Sequence, residues 1–243
     1  MRLRFRFGKL GKVRWTSHRD VARMWERAFR RVDLPLAYTG GFSPRPKVSF
    51  GLALPTGHES VAEYLDVELD PARLAASLDV APLPALLTAA LPVGVDVLAA
   101  AGLGAGADSL QHEVTSCRWE VEAAGTDAAR LGELLAQALA ADALPIERER
   151  KGQSTTDDVR PAILSAAVLG PTGPGSLLEC ELATQPRGLR PAELLRAIDP
   201  VLAEGRVRRT HQWIGRDGAR AEPLGLPLDA TGAPPALTLE PVS

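Results

Sequence analysis

Cysteine is nearly missing from this chain: Cys117 and Cys180 are the only two in 243 residues, too few for a disulfide framework. Histidine is almost as scarce. His18, His58, His112 and His211 are scattered without the spacing of metal ligands, so neither a metal site nor a cofactor is expected. Long apolar runs are missing too. The uncharged stretch 80–95 is cut by Pro82, Pro84 and Pro92, and it is shorter than the roughly 20 residues that a membrane span needs. Arg2, Arg4 and Arg6 break up any apolar core of a signal peptide. These absences lead us to expect a cytoplasmic protein with no membrane partner.

What is present is an ordinary globular composition, 45% apolar and 24% charged. The length allows one large domain or two of about 100 residues. The net charge of -2 hides a division: residues 1–50 carry 13 Lys or Arg against Asp20, Glu26 and Asp33, a net of +10, while residues 51–243 carry 15 basic and 27 acidic groups, a net of -12. Such asymmetry points to a polyanionic partner and says nothing about fold.

The order of elements points to an α+β fold of two tandem ferredoxin-like (βαββαβ) halves. Leu3, Phe5 and Phe7 alternate with Arg2, Arg4 and Arg6, the period of a strand with one apolar and one cationic face. Ser17 and Asp20 open a helix, in which Val21, Met24, Trp25, Ala28, Phe29 and Val32 recur at helical spacing. Strands are expected over 34–38, 47–54, 64–69 and 93–98, with a broken helix over 71–91. After a small-residue hinge the order repeats: strand 117–123, helix 127–141, strands near 146–150 and 160–168, strand 177–183, helix 191–202 and strand 206–214. The domain boundaries expected are a basic first domain over 1–101, a hinge over 102–113, a second domain over 114–214 and a disordered tail over 215–243, where five prolines and four glycines fall.

The candidate nucleic-acid contacts are Arg27, Arg30 and Arg31 on the polar stripe of the first helix, together with Tyr38, Phe42, Arg45 and Lys47 in a glycine- and proline-rich loop. Cations at helical spacing track a phosphate backbone, and loop aromatics offer stacking surface for bases. The rival reading is a solubilising arginine face and a turn whose aromatics cap the core. The loop is not a P-loop, because the GxxxxGK[ST] spacing is absent. His18, at the helix start, is the one candidate catalytic residue, as a general base; its place on the stripe of Val21 and Trp25 favours instead a partly buried structural role. Gly102, Gly104 and Ala107 fit GxGxxA nominally, but too short a segment follows for the helix that would receive a pyrophosphate. Residues 147–160 read as a charged hairpin.

At Ser17-His18-Arg19-Asp20, Glu26-Arg27-Ala28, Arg30-Arg31, Leu34-Pro35-Leu36-Ala37-Tyr38, Gly41-Phe42-Ser43-Pro44-Arg45-Pro46-Lys47, Phe50-Gly51-Leu52-Ala53-Leu54-Pro55 and Glu63-Tyr64-Leu65-Asp66, the chain closely resembles the radical SAM-linked family of uncharacterised bacterial proteins. Members often have Leu where Arg19 stands, and Asn and His where Ser43 and Arg45 stand. The resemblance implies a radical SAM enzyme as partner and a setting in RNA processing. The chain itself lacks the CxxxCxxC triplet that holds a catalytic iron–sulfur cluster, so it is not the radical enzyme. At the level of fold alone, two such halves also resemble the CRISPR repeat-processing endonucleases. The resulting expectation is a non-catalytic accessory protein that presents RNA, tRNA or rRNA, to a partner radical SAM modification enzyme. The alternatives are a metal-independent ribonuclease using His18 and a protein-interaction module that docks on the radical SAM enzyme.

Overall fold

The computed structural model describes residues 1–74, 78–104, 108–150, 152–216 and 219–224. It is a mixed α+β structure with two compact units. Unit 1 comprises Met1–Glu113 with the segment from Gly215 onward, and unit 2 comprises Val114–Ile214.

In unit 1, β1 (Arg2–Lys9) is followed by a 3-10 turn at Gly11–Trp15, α1 (His18–Arg31), β2 (Val48–Phe50), β3 (Glu59–Glu68), α2 (Leu83–Ala90), β4 (Val97–Leu103) and the single turn α3 (Leu110–Glu113). Its sheet runs β4-β1-β3-β2, each neighbour antiparallel. The alternation of β1 decides which way it faces: Leu3, Phe5 and Phe7 are buried against Val21, Trp25, Ala28 and Phe29 of α1. Trp25 meets Phe7 edge-on at 5.0 Å and lies 5.2 Å from Phe29. Burying such rings is worth roughly 2–3 kcal/mol each, which makes this contact the main tie between helix and sheet. At the start of α1, the Asp20 backbone N–H donates to Ser17 Oγ at 3.2 Å, and Val32 closes its other end.

Several expected boundaries move. Residues 34–38 form only isolated bridges, Leu36 to Leu69 and Tyr38 to Pro46. The helix expected from residue 71 begins at Leu83. Asp70 and Asp79 accept from the backbone N–H groups of Ala72 and Ala81 and so favour local turns over helix. Pro82 and Pro84 are admissible only in a first helical turn. The expected hinge is also partly structured: β4 runs through Leu103 and α3 covers Leu110–Glu113, while residues 105–107 lie outside the described residues. The expected tail starts as ordered chain, since β11 (Ala219–Ala221) and Leu224 belong to unit 1; residues 225–243 lie outside the described residues.

Unit 2 consists of β5 (Val114–Ala124), α4 (Ala128–Ala140), β6 (Pro145–Arg150), β7 (Gln153–Asp158), β8 (Ile163–Pro171), β9 (Gly175–Ala183), α5 (Pro191–Ile198) and β10 (Ala203–Arg216). Its main sheet runs β10-β5-β9-β8, again antiparallel throughout. Cys117, Trp119, Val121 and Ala123 are buried on one face of β5, and α4 buries Leu131, Leu134, Leu135 and Ala138. Residues 146–150 do not join this sheet as expected. They pair with β7 in a separate two-stranded arm, in line with the charged hairpin expected there.

Candidate nucleic-acid interface

The arginines of unit 1 fall into two populations. Those on β1, expected to line an open cationic face, are instead neutralised, Arg4 and Arg6 buried and Arg2 half-buried. Arg4 is 2% exposed; its Nε and Nη2 reach Asp66 Oδ1 and Oδ2 at 2.7 and 3.0 Å, and its Nη1 reaches Glu113 Oε2 at 3.2 Å. Arg2 adds a contact of 3.1 Å to Asp66, and Arg6 meets Glu222 at 2.6 Å. Burial works against the charge on Arg4, but the bonds to Asp66 and Glu113 outweigh it and raise the pKa of the guanidinium. The strand pattern revealed the cations. It could not reveal their partners, which lie 62 to 216 positions away along the chain.

The helix arginines differ. The buried stripe of Val21, Trp25, Ala28 and Phe29 fixes the rotation of α1, so Arg19, Arg23, Arg27, Arg30 and Arg31 all emerge exposed. Arg23 pairs with Asp20 at 3.4 Å, and Arg31 donates to the Ala90 carbonyl at 3.0 Å. Among the described residues, Arg19, Arg27, Arg30 and Arg31 have no carboxylate partner. From Arg19 to Arg31 the stripe spans about 18 Å at 1.5 Å per residue.

The loop joins this stripe at one end. After α1 the Leu34 N–H donates to the Phe29 carbonyl, and the Ala37 N–H donates to the Glu68 carbonyl at the end of β3. The return limb is fastened by Lys47 N–H to the Ala37 carbonyl and by a 2.7 Å ion pair between Lys47 and Glu68. Thr39 and Arg45 close the tip: each N–H donates across it, to the Arg45 carbonyl at 2.8 Å and to Thr39 Oγ1 at 3.0 Å. Gly41 takes φ 104° there, a conformation that suits glycine. Tyr38 is 48% exposed, Phe42 is fully exposed, and Arg45 is exposed as well. Arg30 and Arg31 therefore stand at the same end of unit 1 as Tyr38, Phe42, Arg45 and Lys47, and Arg27 stands one helical turn back.

His18 is not part of this group. It opens the opposite end of α1, roughly 18 Å from Arg30 by the helical rise. Its ring is exposed rather than partly buried and meets Phe50 edge-on at 5.1 Å, because the buried stripe starts only at Val21. A cavity of about 20 Å³ lies beside it, lined in part by Lys9, Glu63 and Tyr64, large enough for a single water. Lys9 was not singled out in the sequence. It is buried, donates to the carbonyls of Arg14 and Thr16 at 3.2 and 3.0 Å, and has its pKa lowered by burial, with Glu63 opposing. The only hint in the sequence was a cation at the end of a strand whose other face is apolar.

In unit 2, a polar cleft of about 700 Å³ opens between the β6-β7 arm and the start of α5. Arg148 anchors the arm there, with Nε and Nη2 each 2.8 Å from Glu193 and Nη1 3.2 Å from Asp157. Arg148, Arg187, Arg190 and Arg196 line the cleft together with Glu147, Glu149 and Glu193, so it is nearly balanced in charge, and Arg187 pairs with Asp157 of the arm.

Among the described residues, no helix is long and apolar enough to cross a membrane. A search of curated proteins found no match. A family model described as "Uncharacterized protein conserved in bacteria (DUF2344)" matches residues 2–203, a stretch that contains α1 and its loop. The chain belongs to this DUF2344 family of bacterial proteins.

Proposed function

We propose that this protein is a non-catalytic RNA-binding accessory that presents tRNA or rRNA to a radical SAM modification enzyme. One observation carries the RNA half of the reading: the β1 arginines are all paired with carboxylates, Arg4 and Arg6 buried and Arg2 half-buried, whereas the α1 stripe is exposed and mostly unpaired. The positive field seen by a partner thus comes from α1 and its loop. An exposed guanidinium keeps its full donor set for phosphate, and exposed Tyr38 and Phe42 stand where a base can stack. The partner enzyme rests on the family resemblance of residues 17–66.

The strand orders β4-β1-β3-β2 and β10-β5-β9-β8 support two ferredoxin-like halves, since the strands of each unit follow one another in the order fourth, first, third, second. That arrangement leaves a helix of unit 1 free to carry the charge. The ribonuclease reading has less support, because His18 stands apart from the loop and beside a cavity with room for one water.

Titration of the purified protein with tRNA and rRNA fragments tests the proposal. Binding that weakens steeply as salt rises is the expected result. Undetectable or salt-insensitive binding overturns it. A complex with the radical SAM enzyme that survives nuclease and ignores RNA would favour the protein-docking module instead.

A further inference from the structure

Arg6 sits in a site that the chain fills with its own carboxylate. The side chain is 3% exposed, its Nε donates to the Val61 carbonyl at 3.2 Å, and its guanidinium lies over the Tyr64 ring at 5.8 Å. A buried guanidinium requires a counter-charge. For Arg4, two residues back, Asp66 of the adjacent strand and Glu113 of α3 supply it through three bonds. For Arg6 the described counter-charge is Glu222, which arrives from 216 positions away.

That pairing underuses the site. A single bond joins Arg6 Nη1 to Glu222 Oε2 at 2.6 Å, while the second oxygen, Oε1, is buried and accepts no hydrogen bond among the described residues. Arginine is built for two parallel bonds to a carboxylate or a phosphate. Before Glu222 the segment is held by the pairing of the three-residue strand β11 with β10; after it the ties are few. Leu224 packs on the small cluster of Ala62, Tyr64 and Leu110, and its carbonyl accepts from Tyr64 Oη at 3.4 Å, long for an O–H···O bond. Arg6 and Tyr64 fall inside the family match, and Glu222 falls outside it.

From this we infer that Glu222 is an internal stand-in for a phosphate group: residues 219–224 withdraw and a phosphate of the bound polynucleotide takes the place of the carboxylate on Arg6. The polynucleotide rests on the RNA-binding reading above, whereas the anion site itself does not. Phosphate brings more acceptor oxygens than the one that Glu222 engages. Glu222 keeps Arg6 neutralised when no ligand is present.

The test uses the full chain and inorganic phosphate as probe. In E222Q the site loses its internal anion, so the thermal midpoint should rise with phosphate, compared with chloride at equal ionic strength, at concentrations at least tenfold lower than the wild type needs. The α1 stripe is common to both proteins, so the difference isolates Arg6. Equal phosphate responses overturn the inference. If E222Q does not fold, Leu224→Ala decides: it loosens the segment and keeps the charge, and it should shift the phosphate response the same way, while a response equal to wild type overturns the inference. With RNA as probe, the amides of residues 219–222 and 224 of the wild type should exchange faster in the complex, and unchanged protection in a formed complex refutes displacement by RNA. Absence of any RNA complex would sink the RNA-binding reading and leave the phosphate comparison standing.

Discussion

Replacing Arg27, Arg30 and Arg31 together by glutamine should change the salt dependence of RNA binding more than the stability of the fold. All three side chains are exposed, and glutamine and arginine have similar helix propensities, so α1 should persist. The one internal bond lost is that from Arg31 to the Ala90 carbonyl. If Arg27, Arg30, Arg31, Arg45 and Lys47 each neutralise one phosphate, single-stranded RNA should bind with a slope of log K against log salt of about -3.5, from roughly 0.7 per contact. Affinity then falls about 100-fold between 50 and 200 mM salt. The triple variant keeps two contacts, so its slope should be about -1.4 and its fall about 7-fold over the same range. Anisotropy of a labelled RNA across a salt series measures both slopes, and circular dichroism checks the helix. A variant that keeps the wild-type slope would refute the assignment of phosphate contacts to this stripe.

Two further outcomes test the physical account of unit 1. Asp66→Asn should lower the urea midpoint without changing the m-value, at a cost of about 3 kcal/mol, the lower end for breaking a buried pair, because Arg4 would keep only its bond to Glu113; a cost under about 1 kcal/mol would contradict this. Lys9 titrates lower in the folded chain than in the unfolded one, so between the two pKa values the unfolded chain holds more protons and stability climbs with pH. The stability of wild type relative to Lys9→Met should therefore increase as pH rises through the alkaline range below about 10.4, and a flat or falling difference would speak against the buried ammonium.

Local physics made part of this molecule readable from its residues. The limits of α1 follow from a serine cap and an apolar stripe, and the facing of β1 follows from strict alternation. The loop was readable because glycine and proline restrict backbone choices within a few residues. What stayed hidden depends on distant partners. Asp66, Glu113 and Glu222 convert an apparently open cationic face into a neutral one. The strand expected at 146–150 goes elsewhere because Ile146 and Arg148 anchor an arm: Arg148 finds Glu193 on α5, 45 residues on. The helix expected from residue 71 fails because Asp70 and Asp79 bond their own following backbone. The site residues split in the same way. Arg30, Arg31 and the loop are neighbours in sequence and gather at one end of the unit, whereas His18, on the same helix, is carried away by its rise.

Photo-crosslinking of the protein to tRNA and rRNA fragments, followed by mass spectrometry of the RNA-linked peptides, tests most directly whether the α1 stripe and its loop form an RNA interface. Crosslinks at Tyr38 and Phe42, lost at high salt together with binding, are the expected result. Crosslinks confined to the β6-β7 arm and α5, or none at all under conditions where RNA binds, would contradict it.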